Sequence, residues 1–350
     1  MDSGKIHSSA PISAPAFRNA LLSWYDVHAR DLPWRKDRDP YRVWISEIML
    51  QQTRVAAVIE HYRNFLRRFP DLQKLAAARQ NSVLAAWSGL GYYRRARMLH
   101  AAAKVIAKER GGKFPETAPA LRDLPGIGRY TAAAIASIAF EEPVAVVDGN
   151  VARVLGRLRG ITHSNEKAWQ TAEELLDRER PGDFNQAMME LGATVCTPRA
   201  PACLTCPVVG LCISRGERLS PAKFSRQKKR EIHYALDRRN GSIFLVQRAH
   251  DLRLMPGMWE LPEIDAQGRR GRDKRVSRFA RRDKKDGLFL TLRHSITVTD
   301  YTVRVWHMSA PPAVAGTWIA LEKAGGLALT GLARKILRRV ANIRENRSII

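Results

Sequence analysis

Four cysteines, Cys196, Cys203, Cys206 and Cys212, are all the thiols of this 350-residue chain, and they fall within 17 residues with gaps of six, two and five. Disulfides staple distant segments, so thiols crowded into one loop point to four thiolates around a single ion or cluster. A Cys₄ zinc site usually shows two C-x₂-C knuckles set apart, and only one such pair is present. A [4Fe–4S] cube accepts a loop of this kind, with Pro207 just after the third cysteine. Both readings stay open on spacing alone.

Two carboxylates stand where they can act as an acid and a fixed charge. Asp39-Pro40 predicts a helix start, with Asp39 as N-cap. On that helix the neighbours of Glu47 at three and four residues are Val43, Trp44, Leu50 and Gln51, three of them apolar. That places Glu47 on the buried stripe, where loss of solvent raises a carboxyl pKa toward the range of a general acid. Asp148 lies between the apolar run Val144 to Val147 and a helical stretch opening at Val151, the position of an N-cap. Two glycines flank Ile127 just before a helix starting near Tyr130, so backbone N–H groups there can meet a phosphate.

Composition agrees with a polyanionic partner. The formal net charge is +25, from 59 Lys and Arg against 34 Asp and Glu, with a pI near 10.6. A hydrophobic content of 45% is high for a ribosomal protein of this charge. There is no apolar run of 18 residues to span a bilayer, so no membrane role is expected. Clustered free thiols imply a reducing compartment, read here as a prokaryotic cytoplasm with the nucleoid as the place of work.

These motifs resemble the endonuclease III superfamily of DNA glycosylases. The cysteine spacing is similar to its iron–sulfur loop, Leu124-Pro125-Gly126-Ile127-Gly128-Arg129-Tyr130-Thr131 to its helix–hairpin–helix, and Val147-Asp148-Gly149-Asn150-Val151 to its aspartate turn. Leu32-Pro33-Trp34-Arg35, Ser46-Glu47-Ile48-Met49-Leu50-Gln51-Gln52-Thr53 and Gly89-Leu90-Gly91-Tyr92-Tyr93 resemble the MutY-type adenine glycosylases in particular.

The resemblance implies residue roles. Glu47 would protonate N7 of a flipped adenine, Asp148 would face the sugar as positive charge develops, and Asn150 would orient Asp148. Tyr130 stands where strand-cutting relatives carry a nucleophilic lysine, which implies hydrolysis without strand cleavage. Leu124, Gly126 and Gly128 would hold DNA, with Leu50, Gln52 and Tyr92 as wedge residues. Trp34, Arg35 and Gln186 would line the adenine pocket, and the four cysteines would hold a [4Fe–4S] cluster. The implied partner is double-stranded DNA carrying adenine opposite 8-oxoguanine or guanine, met by a monomer. A thymine glycosylase for G·T mismatches and a non-catalytic DNA-binding iron–sulfur protein are the alternatives. The presence of both Glu47 and Asp148 argues against the last.

The chain's texture divides it. Residues 1–15 read as a disordered tail, and 16–213 as an all-α helix–hairpin–helix glycosylase domain with the cluster loop at 196–212. Residues 214–231 read as a basic linker. Residues 232–345 read as a small α+β domain resembling the Nudix-like module that MutY-type enzymes use to read 8-oxoguanine. Asn240-Gly241 predicts a hairpin joining the strand Ile232 to Leu236 with Ser242 to Gln247. A Nudix hydrolase needs a glutamate-rich metal box, whereas Arg269 to Lys285 holds ten Lys or Arg and two Asp, so nucleotide hydrolysis is not expected. The family's Phe-Ser-His reading loop aligns with Ile296, Thr297 and Val298. Thr297 keeps a hydroxyl, and His294 is the nearest imidazole able to compensate.

Overall fold

Ser13 sets the first helix by capping Ala16 N, and α1 then runs Ala14–His28 with Phe17, Leu21, Leu22 and Tyr25 on its buried face. The computed structural model describes residues 12–160, 165–215, 228–252, 254–264, 287–296 and 299–345. The helices that follow are α2 (Pro40–Leu50), α3 (Val55–Arg68), α4 (Leu72–Ala77), α5 (Gln80–Trp87), α6 (Arg94–Glu109), α7 (Ala118–Arg122), α8 (Arg129–Phe140), α9 (Gly149–Arg159), α10 (Asn165–Leu175) and α11 (Pro181–Thr194). The predicted cap of α2 is present: Asp39 Oδ1 accepts from Arg42 N at 2.9 Å, with Pro40 in the first turn.

The chain forms two compact units, one from Met1–Ala77 and Met98–Ala222, the other from Ala78–Arg97 and Lys223–Ile350. In the first unit α8 is a nearly all-apolar rod, Thr131 to Ile138 being buried throughout. Helix α11 approaches it closely because Gly182 has no side chain: a Cβ there would sit 2.6 Å from Ser137 O. Gly192 does the same against α9, where a Cβ would lie 2.6 Å from Asn150 Cβ.

The second unit is α+β. Strands β1 (Lys228–Leu236), β2 (Arg238–Arg239), β3 (Ser242–Gln247), β4 (Trp259–Glu260), β5 (Glu263–Ile264), β6 (Gly287–Ile296), β7 (Thr299–His307) and β8 (Thr317–Ala320) precede α12 (Leu321–Ala324) and α13 (Gly331–Glu345). One sheet has the order β5-β1-β7-β6, with β1 and β7 parallel. In the other, β3 pairs with β2, β4 and β8. Helix α13 buries Leu332, Ile336, Leu337 and Val340 in a core shared with Val303, Val305, Ile243 and Leu245.

Three boundaries differ from the sequence reading. Helix α1 begins at Ala14, inside the segment read as tail, and β1 begins at Lys228, inside the segment read as linker. Residues 78–97, read with the glycosylase half, pack with the second unit. The Asn-Gly turn forms, with Asn240 at φ +46° and Gly241 at φ +77°, but it joins β2 to β3. The long strand β1 pairs instead with β7, because Asp237 ends it: its buried carboxylate accepts from Ala310 N at 2.9 Å, and its carbonyl from Phe244 N at 3.1 Å.

Candidate active site

One cleft of about 610 Å³ opens in the first unit, and most of the residues singled out by sequence line it. Trp34, Arg35, Glu47, Leu50, Gln52, Gly126, Gly128, Tyr130, Asp148, Asn150 and Gln186 all face this space. Leu124 does not; it is buried and contributes its carbonyl to the hairpin, accepting from Ile127 N at 3.2 Å. Tyr92 belongs to the second unit and is 47% exposed. Thr297 lies outside the described residues, whereas His294 is half-buried on β6.

Glu47 reaches the cleft from α2, a helix whose residues Val43 to Met49 are all buried; Glu47 itself is 5% exposed. Burial pushes its carboxyl up to about 7, and the charge of Asp148 adds to the rise. The Tyr130 hydroxyl, which donates to Glu47 Oε2 at 2.6 Å, and the charge of Arg35 offset part of it. Tyr130 comes from the first turn of α8, and its oxygen also lies 3.4 Å from Met189 Sδ. Burial and the neighbouring carboxyls raise the Tyr130 phenol well above its usual value, so it acts as a neutral donor.

Asp148 caps α9 as its position predicts. Its Oδ1 accepts from Asn150 N at 2.8 Å and Val151 N at 2.7 Å, and its Oδ2 from Asn150 Nδ2 at 2.9 Å. Asn150 is held in turn by Arg153, whose Nη2 donates to Asn150 Oδ1 and to Gly192 O, each at 2.8 Å. Arg153 Nε donates to Cys196 O at 2.9 Å, tying the aspartate turn to the cysteine loop.

Sequence reasoning missed a second buried carboxylate. Glu190 is 1% exposed and accepts from both Arg30 and Arg35, with Arg35 Nη2 at 2.8 Å and Arg30 Nη2 at 2.8 Å. Burial alone would raise its pKa, but the two guanidiniums reverse this and hold it below the usual value. One cleft thus contains two carboxyls pushed in opposite directions, the pattern that separates an acid from a fixed anion. A signal for Glu190 was available: it lies four residues after Gln186 on α11, one turn along the same face.

The hairpin between α7 and α8 turns at Gly126, φ +77°, where a Cβ would collide with Met98 Cβ. Gly128 caps α8 without a side chain and lines the cleft, and among the described residues a Cβ there would meet nothing within 4 Å.

The four cysteines line a separate small cavity with Arg157. Arg157, 8% exposed, places Nη1 3.4 Å from Cys196 Sγ and donates to Thr197 O and Pro198 O. Among the described residues no group of three or more His, Cys, Asp or Glu is arranged to hold a metal ion, and no helix is long and apolar enough to cross a membrane.

The chain is similar to known DNA glycosylases. Residues 45–178 match the HhH-GPD superfamily of base excision DNA repair proteins. Adenine DNA glycosylase of Homo sapiens is 54% identical over 215 residues, which cover 57% of this chain and 39% of that protein. Adenine DNA glycosylase of Schizosaccharomyces pombe is 33% identical over 331 residues, covering 74% of this chain and 72% of that protein. A solved thermostable thymine-DNA glycosylase is 32% identical with a TM-score of 0.54, covering 58% of this chain and 96% of that one. The chain spans between 39% and 60% of the length of the first four curated relatives. With the Glu47–Tyr130 pair and the capped Asp148 facing one cleft, the chain belongs to the HhH-GPD superfamily of base excision DNA repair proteins and, within it, to the adenine DNA glycosylase family.

Proposed function

We propose that this protein is a monofunctional DNA glycosylase that hydrolyses the N-glycosidic bond of adenine mispaired with 8-oxoguanine or guanine. The observation that carries the reading is Glu47: a buried carboxyl with its pKa near 7, facing a cleft that also presents Asp148.

The chemistry follows from the residues. Protonated Glu47 gives its proton to N7 of a flipped adenine, which turns the base into a neutral leaving group. The C1′–N9 bond breaks, and positive charge spreads over C1′ and the ring oxygen. Asp148, fixed by three N–H donors, supplies the negative charge that stabilises this state. Water adds to C1′ and its proton returns to the Glu47 carboxylate, leaving an abasic sugar, free adenine and the acid restored. Tyr130 offers no amine, so no Schiff base forms at its position. Trp34, Arg35 and Gln186 line the base pocket, and Gly126, Gly128 and the first turn of α8 receive a backbone phosphate. Leu50, Gln52 and Tyr92 fill the space the base vacates. The protein acts as a monomer on double-stranded DNA, drawn to it by the charge of +25.

Cys196, Cys203, Cys206 and Cys212 hold a [4Fe–4S] cluster that ties the loop together. Four thiols face one cavity, their 6-2-5 spacing holds only one C-x₂-C pair, which suits a cube better than zinc, and the Arg157 guanidinium beside Cys196 Sγ would offset thiolate charge. Iron at about four per chain is expected; stoichiometric zinc without iron in anaerobically prepared protein contradicts this assignment. The second unit serves as the Nudix-like reader of 8-oxoguanine, with His294 on β6 and Thr297 as reading residues.

The test is a panel of duplexes carrying A·8-oxoguanine, A·G, A·C and T·G, treated with alkali after incubation. Cleavage at adenine opposite 8-oxoguanine and guanine supports the reading. Cleavage at T·G alone would move the protein to the thymine reaction that the 32% identical structure performs by its name.

A further inference from the structure

Tyr92 is presented by a loop that the second unit builds and holds. Gly89 and Gly91 take φ of +112° and +71°, open to glycine without strain, and between them and Tyr93 stands Tyr92 at φ +47°, a left-handed conformation that a non-glycine residue keeps only when the surroundings enforce it. Arg95 enforces it locally. Its guanidinium lies 5.6 Å from the Trp87 ring and 5.3 Å from the Tyr92 ring, and it donates to Leu90 O and Gly91 O. Trp87 Nε1 donates to the same Gly91 carbonyl at 3.2 Å.

The loop's other anchor is α13. Arg334 Nε donates to Ser88 Oγ at 2.6 Å, and Ser88 Oγ and the Tyr93 hydroxyl both donate to Leu329 O at 3.0 Å. No carboxylate pairs with Arg334 among the described residues, so its guanidinium is committed to this loop and to the Gly325 and Leu327 carbonyls. The next residue, Lys335, donates to Arg293 O at 2.9 Å, directly before His294 on β6. One helix therefore grips the strand that carries His294 and the loop that carries Tyr92.

We propose that Arg334 is a positioning residue for Tyr92: through Ser88 it fixes the aromatic wedge to α13, so that the wedge is set by the unit that carries β6. This rests on the reading of Tyr92 as a wedge. The consequence is that Arg334 contributes to lesion-duplex affinity by placing the Tyr92 ring, in addition to its bonds to the Gly325 and Leu327 carbonyls.

A double-mutant cycle tests it. Affinity is measured for a duplex with non-cleavable 2′-fluoro-2′-deoxyadenosine opposite 8-oxoguanine and for a fully paired duplex. The proteins are wild type, Arg334→Met, Arg334→Lys and Ser88→Ala, each also in a Tyr92→Ala background, with thermal midpoints recorded. Arg334→Met and Ser88→Ala should weaken lesion-duplex binding about tenfold, the scale of one lost base-stacking contact, and leave paired-duplex binding unchanged. In the Tyr92→Ala background the same changes should have no further effect. If Arg334→Met lowers the thermal midpoint sharply, Ser88→Ala, which removes one hydroxyl, decides. Wild-type affinity in Ser88→Ala, or losses that persist undiminished without Tyr92, would overturn the inference. Wild-type adenine release from a cleavable A·8-oxoguanine duplex, run alongside, separates this outcome from failure of the proposed function.

Discussion

The Tyr130 hydroxyl donates to Glu47 Oε2 at 2.6 Å, across two helices whose residues are 83 positions apart in the chain. The bond favours the ionised carboxyl, while burial, the larger effect, favours the neutral one, so the Glu47 pKa comes to rest near 7. A carboxyl raised to that range keeps a protonated population at neutral pH and can serve as a general acid.

That balance has a cost in stability with a defined sign. The folded pKa of Glu47 lies above its unfolded value of 4.5, so the folded state binds the proton more tightly. The penalty is absent below about pH 4.5, grows as pH rises, and is complete above about pH 7, where it amounts to about 3 kcal/mol. Glu47→Gln should therefore raise the thermal midpoint relative to wild type at pH 8 and leave it unchanged at pH 4. Calorimetry at the two pH values checks it; a destabilised Gln variant at pH 8 contradicts the burial argument.

Under the proposed function, Tyr130 ends the reaction at base release. Borohydride should trap no covalent protein–DNA adduct above background, since no lysine occupies this position in the cleft. Tyr130→Lys should introduce weak trapping and serves as the positive control. A strong wild-type adduct would assign the chemistry to another amine.

Gly192 tests whether the support of Asp148 matters to rate. A methyl there would lie 2.6 Å from Asn150 Cβ and 3.1 Å from the Asn150 backbone, so Asn150 must shift and Asp148 with it. Single-turnover adenine release by Gly192→Ala should fall by about a hundredfold, the scale of a misplacement near 1 Å, while lesion-duplex affinity stays near wild type. Equal losses of rate and affinity would point to general unfolding instead.

Much of this site was legible before the structure. The apolar neighbours of Glu47 told of its burial, and the Asp39-Pro40 and Asp148 positions told where α2 and α9 begin, because caps and helical periodicity are local signals. The Tyr130–Glu47 bond was not legible, since it depends on how α8 packs on α2. Arg30 was hidden likewise: it lies outside any helix and meets Glu190 160 residues later. The parallel pairing of β1 with β7 and the attachment of residues 78–97 to the second unit are also long-range outcomes, which the local Asn-Gly signal could not foretell.

Lesion preference should reflect an altered reading loop. The resemblance to MutY-type enzymes implies that Ile296, Thr297 and Val298 take the place of Phe-Ser-His, which would cost one imidazole hydrogen bond. A neutral hydrogen bond contributes about 0.5–1.5 kcal/mol, up to about tenfold in discrimination. The protein should thus prefer A·8-oxoguanine over A·G less sharply than such relatives do. Val298→His should sharpen the preference, and His294→Ala should weaken it further. A wild-type ratio equal to that of relatives, unmoved by either change, would remove this loop from recognition.

The central claim is that Glu47 protonates the departing adenine. Its most direct test is single-turnover release of free adenine from an A·8-oxoguanine duplex by wild type and Glu47→Gln, with duplex affinity measured on the same samples. Glu47→Gln keeps the side-chain shape and removes the acidic proton. Release should fall by about a hundred- to ten-thousandfold with affinity preserved, and the wild-type rate should decline as pH rises above the Glu47 pKa. Near-wild-type release by Glu47→Gln would contradict the account.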